Sequence, residues 1–397
     1  MSLTSRIRRY YLFEMFGSMH FFSAVLVPFF LDWGKLNLLQ VQLLQSWFMV
    51  CVFLLEVPTG AVADKYGRKV SIVLGTCATV VGTLIYGTIP HLAAFLLGEL
   101  ILALSIALIS GADEAWLYDT LKSENQEKMM KKIVGRVHVF SLIGIMIAGV
   151  VGSVIGQVFG INAPMYFTSL SAGVALVFAL QLPEPKIAKK QKLVESSFKI
   201  AVRSFKYFAK HAELRILALN VTLVATAAYF VIWLYQPLLQ QLNVPLQYFG
   251  LFHAALVLSE MLVAFSFEKL ERLVGSAHRY LALSAAMVAV SFLFVAVWPN
   301  MLTVGMLLVL GGGFGLTRQQ FASAHMHELV PSETRAAVIS SISMFRRLGT
   351  AIANPVVGLL ALQGLGLPLV CLVALPVLAV LIQGINVAKS DQQQSPS

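Results

Sequence analysis

The stretch Gly60-Ala61-Val62-Ala63-Asp64-Lys65-Tyr66-Gly67-Arg68-Lys69 carries most of the information about the fold of this chain. It lies between two long apolar segments and concentrates charge and glycine within one short turn. Glycine lets two helix ends approach and turn sharply. Asp64 suits a position near a helix N-terminus, and Arg68 presents a forked donor to carboxylates. The pattern predicts a loop that latches two helices in one conformation and releases them in another.

This loop resembles the signature between the second and third spans of the major facilitator superfamily, Gly-x-x-x-Asp-Arg/Lys-x-Gly-Arg-Arg/Lys. All six fixed positions match, and they are Gly60, Asp64, Lys65, Gly67, Arg68 and Lys69. The alternative is an ordinary basic loop, since lysine and arginine are common between membrane spans. The spacing of the glycines and the aspartate favours the signature. The signature predicts that these six residues form a conformational latch. An ion pair between Arg68 and Asp119 is expected to extend it.

The composition indicates a polytopic membrane protein. Of the 397 residues, 58% are hydrophobic and only 12% are charged, whereas about a quarter are charged in soluble domains. The net charge of +10 is spread over short gaps between apolar runs, so it predicts membrane topology and not nucleic-acid binding. The three cysteines show no metal-ligand spacing, and we expect no metal and no cofactor.

Twelve apolar windows are long enough to cross about 30 Å of hydrocarbon. An even number of spans leaves both termini on one side, and of all lysines and arginines only Lys35 falls in a gap on the other side. The positive-inside rule therefore predicts cytoplasmic termini in a multi-pass inner-membrane protein. The windows are 10–31, 39–60, 70–89, 92–117, 134–158, 163–182, 214–238, 247–267, 278–298, 301–325, 336–360 and 367–387.

The chain also contains a weak internal repeat. An offset of 204 residues relates the signature loop to a second loop, taking Glu56 to Glu260, Asp64 to Glu268, Lys65 to Lys269 and Arg68 to Arg272. The resemblance implies an all-α fold of twelve transmembrane helices in two pseudo-symmetric six-helix bundles. We expect the bundles at 1–183 and 214–397. The linker at 184–213 reads equally as an amphipathic surface helix or as a solvated hinge.

Two arginines lie deep in the eleventh window. Arg346 and Arg347 are about eleven residues from its start, or ~16 Å at 1.5 Å per residue, which is near the membrane midplane. An ionisable group there is costly and is a functional candidate by default. The resemblance implies that the second and eleventh spans face each other, so one arginine is expected to pair with Glu56. The other is a candidate for binding an anionic group of the substrate.

A pair of opposite charges is related by the same repeat. The offset takes Glu114, at the end of the fourth span, to Arg318 in the tenth. The resemblance implies that these spans approach each other at the cytoplasmic side, so the pair predicts a gate, with Asp113 beside it. Anchoring at the interface by Trp116 and Tyr118 is the alternative reading of this segment.

Three further groups are candidates for handling substrate or protons. Glu99 lies within the fourth span, where related proton-coupled exporters usually carry arginine, and an acid in apolar surroundings can carry the coupled proton itself. The alternative is a carboxylate held by a neighbour. Glu14 lies near the membrane edge and can instead extend to the interface. His20, expected mid-span in the first helix, can share the task or simply pack.

The expected function is secondary active transport. No nucleotide-binding loop of the Gly-x-x-x-x-Gly-Lys-Ser/Thr type occurs, so an ion gradient is the expected energy source. We predict a monomeric, proton-coupled exporter of a small amphiphilic compound, embedded in the lipid bilayer. One alternative is an importer or exchanger of an anionic metabolite, favoured by Arg318, Arg346 and Arg347. A non-transporting membrane enzyme or sensor is the other, but no nucleophile and base stand at workable spacing.

Overall fold

The computed structural model describes residues 2–185, 212–322 and 332–394, and within these ranges the regular secondary structure is helical throughout. The chain divides into two compact units. Unit 1 comprises residues 1–193 and 244–254, and unit 2 comprises residues 194–243 and 255–397. Most of the linker predicted at 184–213 lies outside the described residues, and the predicted domain boundaries stay predictions.

The described residues of unit 1 form eight α-helices and the start of a ninth. Helix α4 packs against α5 and α8, whereas α1 packs against α7 and α8. In chain order the first eight helices are α1 (Leu3–Gly17), α2 (Leu26–Pro28, continued by a π-helical turn at Phe29–Trp33), α3 (Leu38–Tyr66), α4 (Arg68–Thr88), α5 (Leu92–Ile109), α6 (Ala112–Lys122), α7 (Met130–Phe159) and α8 (Ala163–Leu180). Helix α9 belongs to unit 2. The next helix, α10 (Phe249–Phe265), is shared, and its residues 249–254 belong to unit 1.

Unit 2 is helical in the same way. Helix α16 packs against α9 and α12, and α15 packs against α9. The helices are α9 (Ala212–Gln241), the rest of α10, α11 (Phe267–Val274), α12 (Ala277–Val297), α13 (Met301–Met306, continued by a π-helical turn at Leu307–Gly312), α14 (Gly313–Leu316), α15 (Ser332–Ala361) and α16 (Gly366–Gln394).

Ten spans in the described part of the chain are long and apolar enough to cross a membrane. Large apolar side chains on these helices stay exposed, among them Leu54 at 63% and Leu170 at 66%. A water-soluble protein rarely exposes so much apolar surface, and a lipid bilayer covers it. The two windows absent from the ten are the first and the eleventh. Helix α15 covers the eleventh window in full.

The first window is an interrupted helix. Helix α1 ends at Gly17, and residues 18–25 form turns before α2 begins at Leu26. His20 therefore lies in the interruption, and the expectation that it sits inside a continuous helix is wrong. Its ring stacks on Phe22, with ring centroids 5.5 Å apart.

The fourth window is interrupted as well. Helix α5 ends at Ile109, and α6 begins at Ala112 after Gly111, whose φ of +79° is left-handed. Only glycine adopts that conformation without steric cost. The break creates a new helix N-terminus whose first turn contains Asp113 and Glu114, and carboxylates at this position are favoured by the helix dipole.

Small residues let α7 closely approach α1 and the interruption that follows it. A Cβ atom on Gly144 would lie 2.7 Å from the carbonyl oxygen of Met15, and one on Gly152 would lie 1.8 Å from that of Phe21. Glycine at these positions allows backbone-to-backbone packing of the kind common in membrane helices. The segment that contains Tyr10 and Glu14 is thereby held against α7.

Candidate functional site

The signature loop is a turn of a single residue. Helix α3 ends at Tyr66 and α4 begins at Arg68, so Gly67 alone joins them, with φ of +110° and ψ of 157°. That backbone conformation is accessible to glycine and strained for other residues. At the other end of the motif, a Cβ atom on Gly60 would meet no described residue within 4 Å. The structure therefore gives a local reason for the glycine at 67 and none for the one at 60.

Glu184 binds the beginning of α4. Its Oε1 atom accepts a hydrogen bond of 2.7 Å from the backbone N–H of Arg68, and its Oε2 atom accepts one of 2.8 Å from that of Lys69. These N–H groups belong to the first turn and have no acceptor within the helix. A carboxylate is the favoured partner because the helix N-terminus is partially positive. Glu184 thus caps α4 from a segment more than a hundred residues away.

Glu184 was not among the predicted site residues. Its sequence signal is the run Pro183-Glu184-Pro185, since a residue before proline is held in extended backbone. Trp116 anchors this run, because its indole N–H donates a 2.8 Å hydrogen bond to the carbonyl of Pro183. The sequence therefore indicates a rigid acid at this position, whereas its partner is set by the tertiary structure.

Two carboxylates, one of them from the signature, meet around Arg68. Its Nη1 atom lies 3.1 Å from Oδ1 of Asp64, and its Nε atom lies 4.0 Å from Oδ2 of Asp119. The structure therefore brings together α3, α4 and α6 at this guanidinium. Lys65 lies over the ring of Tyr66, 5.1 Å from its centroid. The latch itself, a change between conformations, stays a prediction.

Three of the predicted acids line one pocket of unit 1, which we call the acidic pocket. It has a volume of about 200 Å³. Its walls come from α1, α6 and α7, and it is lined by Tyr10, Glu14, Asp113, Glu114, Leu117, Val134, Val137, His138 and Ser141. The predictions had assigned Glu14 to substrate or proton handling and the other two acids to a gate. The structure joins them because the α5–α6 break turns the first residues of α6 toward α1.

Glu99 lies on α5, apart from the acidic pocket. It is 5% exposed, and its Oε1 atom accepts a 2.8 Å hydrogen bond from Nε2 of Gln45 on α3. The ring of Tyr86 packs beside it, since a Cβ atom on the adjacent Gly98 would lie 2.4 Å from that ring. Within the described residues of unit 1, no lysine or arginine forms an ion pair with Glu99. It is a buried acid held by an amide.

Arg318 is fully buried in unit 2, with 0% exposure. Its Nη1 atom donates to the carbonyl of Leu281 at 2.5 Å and to the hydroxyl of Ser284, and its Nη2 atom donates to Oδ1 of Asn220. Both terminal nitrogens are therefore engaged inside unit 2. Its predicted role in a gate with Glu114 stays a prediction.

The remaining predicted residues lie on three different segments. Arg346 and Arg347 lie on α15 and are partly buried, and the Nε atom of Arg346 is buried without a hydrogen-bond partner among the described residues. Glu56 lies exposed on α3 of unit 1. Its predicted pairing with an arginine of unit 2 stays a prediction, as does the role of His20.

A family model described as Major Facilitator Superfamily matches residues 11–354. The chain belongs to the Major Facilitator Superfamily. The uncharacterized MFS-type transporter YxaM of Bacillus subtilis (strain 168) is 28% identical over 132 residues, which cover 33% of each chain. Multidrug resistance protein 2 of the same organism is 30% identical over 125 residues, covering 31% of this chain and 30% of that protein. These matches span about a third of the length of each relative.

Solved structures of superfamily transporters share the fold. The nucleoside transporter NupG superposes with a TM-score of 0.80 at 15% identity, covering 97% of this chain and 99% of that one. An inward-facing, unoccupied bacterial homolog of the human lysosomal transporter Spinster gives a TM-score of 0.78 at 15% identity and full coverage of both chains. Family and fold place the chain among multi-pass membrane transporters and not among enzymes.

Proposed function

We propose that the chain is a secondary active transporter that works by alternating access and couples proton movement to the export of a small amphiphilic compound or drug. It acts as a monomer in the inner membrane, with both termini in the cytoplasm. Superfamily membership supports transport of a small molecule. Export is favoured by the similarity to a protein named for multidrug resistance.

One observation carries the proton-coupled part of the proposal. Glu99 is buried and accepts its hydrogen bond from the neutral amide of Gln45. A carboxylate without an opposite charge is costly to bury, so it gains by taking up a proton. A group that can exist in both forms inside a membrane protein is suited to carry a coupled proton. Glu99 is therefore the residue to which we assign this role.

Proteoliposomes containing the Glu99→Gln variant test the assignment. We expect the variant to lose uphill transport driven by a pH gradient and to keep substrate exchange at equal pH, because exchange needs no net proton movement. Glutamine can keep the hydrogen bond to Gln45, which limits the change to proton binding. The exposed Glu127→Gln variant on the loop before α7 is the matched control. Gradient-driven accumulation that persists in Glu99→Gln would assign the proton to another acid.

Import or exchange of an anionic metabolite is the second candidate function. The buried Nε atom of Arg346 has no hydrogen-bond partner among the described residues, and a guanidinium is well shaped to bind a carboxylate or phosphate. A counterflow screen in proteoliposomes against a mixed panel of drugs and metabolites separates the two functions. Exchange of organic anions, lost in Arg346→Gln and absent for amphiphilic cations and neutral drugs, would favour the second.

A further inference from the structure

The acidic pocket has an unbalanced charge. Glu14, Asp113 and Glu114 line it, and its other lining groups include no lysine or arginine. Two arginines of α1 have partners elsewhere, since Arg6 pairs with Glu124 and Arg9 donates to the carbonyl of Gln181. Within the described part of unit 1, none of the three acids forms an ion pair.

One oxygen of the Glu14 carboxyl group lacks a hydrogen-bond partner in this pocket. Its Oε1 atom is buried and accepts no hydrogen bond from any described residue. Across the pocket, Asp113 accepts a 2.7 Å hydrogen bond from the backbone N–H of Glu114, which occupies one oxygen only. A buried acceptor without a donor costs free energy comparable to a lost hydrogen bond. A ligand that brings positive charge and donors would remove that cost.

The rest of the pocket suits an organic group. Leu117, Val134 and Val137 form an apolar wall. Tyr10 lines the pocket beside them, and its ring stacks on Trp116, with ring centroids 5.3 Å apart. The described residues include no group of three or more His, Cys, Asp or Glu arranged to hold a metal ion, so a bare divalent cation fits less well than an organic one.

We propose that the acidic pocket binds the ammonium group of an organic cation, with Glu14 and Asp113 as its counter-charges. The volume of about 200 Å³ accommodates a cationic head group with a small aromatic or aliphatic substituent. The inference rests on the proposed function in taking the bound cation as the transported solute. It narrows the amphiphilic substrate to a cationic amphiphile.

Binding of tritiated phenethylammonium to purified protein in nanodiscs of zwitterionic lipid tests the site. We expect saturable binding that other alkylammonium ions displace. The uncharged isostere propylbenzene should not displace it. Glu14→Gln and Asp113→Asn should each weaken binding by about tenfold or more, since each removes a charge-assisted contact. The exposed Glu127→Gln should bind like the parent.

Two further variants keep the test independent of folding defects. Glu14→Asp retains the charge and should retain most of the binding, whereas Ser141→Leu fills the pocket without changing its charge and should lose it. All variants are compared only if they elute as a single species with an unchanged melting temperature. The proposal is overturned if saturable binding is absent, if it is equal in parent and Glu14→Gln, or if millimolar magnesium ions displace the probe while alkylammonium ions do not.

The outcome separates this inference from the proposed function. Counterflow of other solutes by a protein that does not bind the cation would refute the pocket assignment and leave transport standing. Cation binding by a protein that exchanges no solute in counterflow would support the site and refute the proposed function.

Discussion

Replacing Glu184 tests whether a distant carboxylate holds the signature loop in shape. In the parent, the two oxygens of this side chain accept hydrogen bonds of 2.7 and 2.8 Å from the backbone N–H groups of Arg68 and Lys69. Glu184→Ala leaves both N–H groups to water. Loss of a helix N-cap costs about 0.5–2 kcal/mol, and loss of the charge at the helix dipole costs about 0.3–1 kcal/mol at an exposed site.

The side chain of Glu184 is exposed, so water replaces part of each lost interaction. We therefore take about 1–2 kcal/mol for the lost cap and the lost charge together. That free energy raises the equilibrium constant for opening of the first turn of α4 by about 5–30 times. Glu184→Gln keeps one acceptor oxygen and should show a smaller effect.

Hydrogen exchange measured by mass spectrometry in nanodiscs provides the readout. The peptide covering residues 64–72 should exchange about 5–30 times faster in Glu184→Ala, whereas a peptide from the start of α12 should not change. Glu127→Gln should match the parent in both. Equal exchange of the 64–72 peptide in parent and Glu184→Ala would show that the cap contributes nothing to the loop.

Two further predictions concern the latch and the gate. Arg68→Ala removes the contacts at 3.1 Å to Asp64 and at 4.0 Å to Asp119; we expect strongly reduced transport with near-normal expression and melting temperature, and normal turnover of the purified variant would contradict a latch. Glu114→Arg should impair transport if Glu114 pairs with Arg318 in a closed gate, and adding Arg318→Glu should recover part of it. Because Arg318→Glu alone also breaks the buried bond to Asn220, the decisive comparison is the double variant against that single one, and no recovery would argue against coupling.

The family and the helical fold were predictable from sequence because they depend on local, repeated signals. Apolar windows reveal membrane spans wherever hydrocarbon thickness sets the length, and ten of the twelve windows correspond to long apolar spans in the described residues. The signature loop was equally predictable from the sequence. Its turn needs a backbone conformation that glycine adopts readily, and Gly67 alone joins α3 to α4.

The breaks inside two windows were not predictable in the same way. A hydropathy profile averages over a window and does not show whether the backbone stays helical. It therefore does not reveal the turns at 18–25 or the left-handed Gly111. The break at Gly111 decides which way Asp113 points. A hydropathy profile contains no information on that direction.

The sequence by itself determined the membrane class, the approximate positions of most spans and the glycine turn at residue 67, because hydrophobic length and glycine stereochemistry act over a few neighbouring residues. Only the tertiary structure decided the partners. Glu184 caps a helix that begins more than a hundred residues before it, Glu14 and Asp113 share one pocket, and Arg318 is bound by α9 and α12. Such pairings depend on how helices distant in sequence pack, and each side chain finds its partner only after that packing has formed.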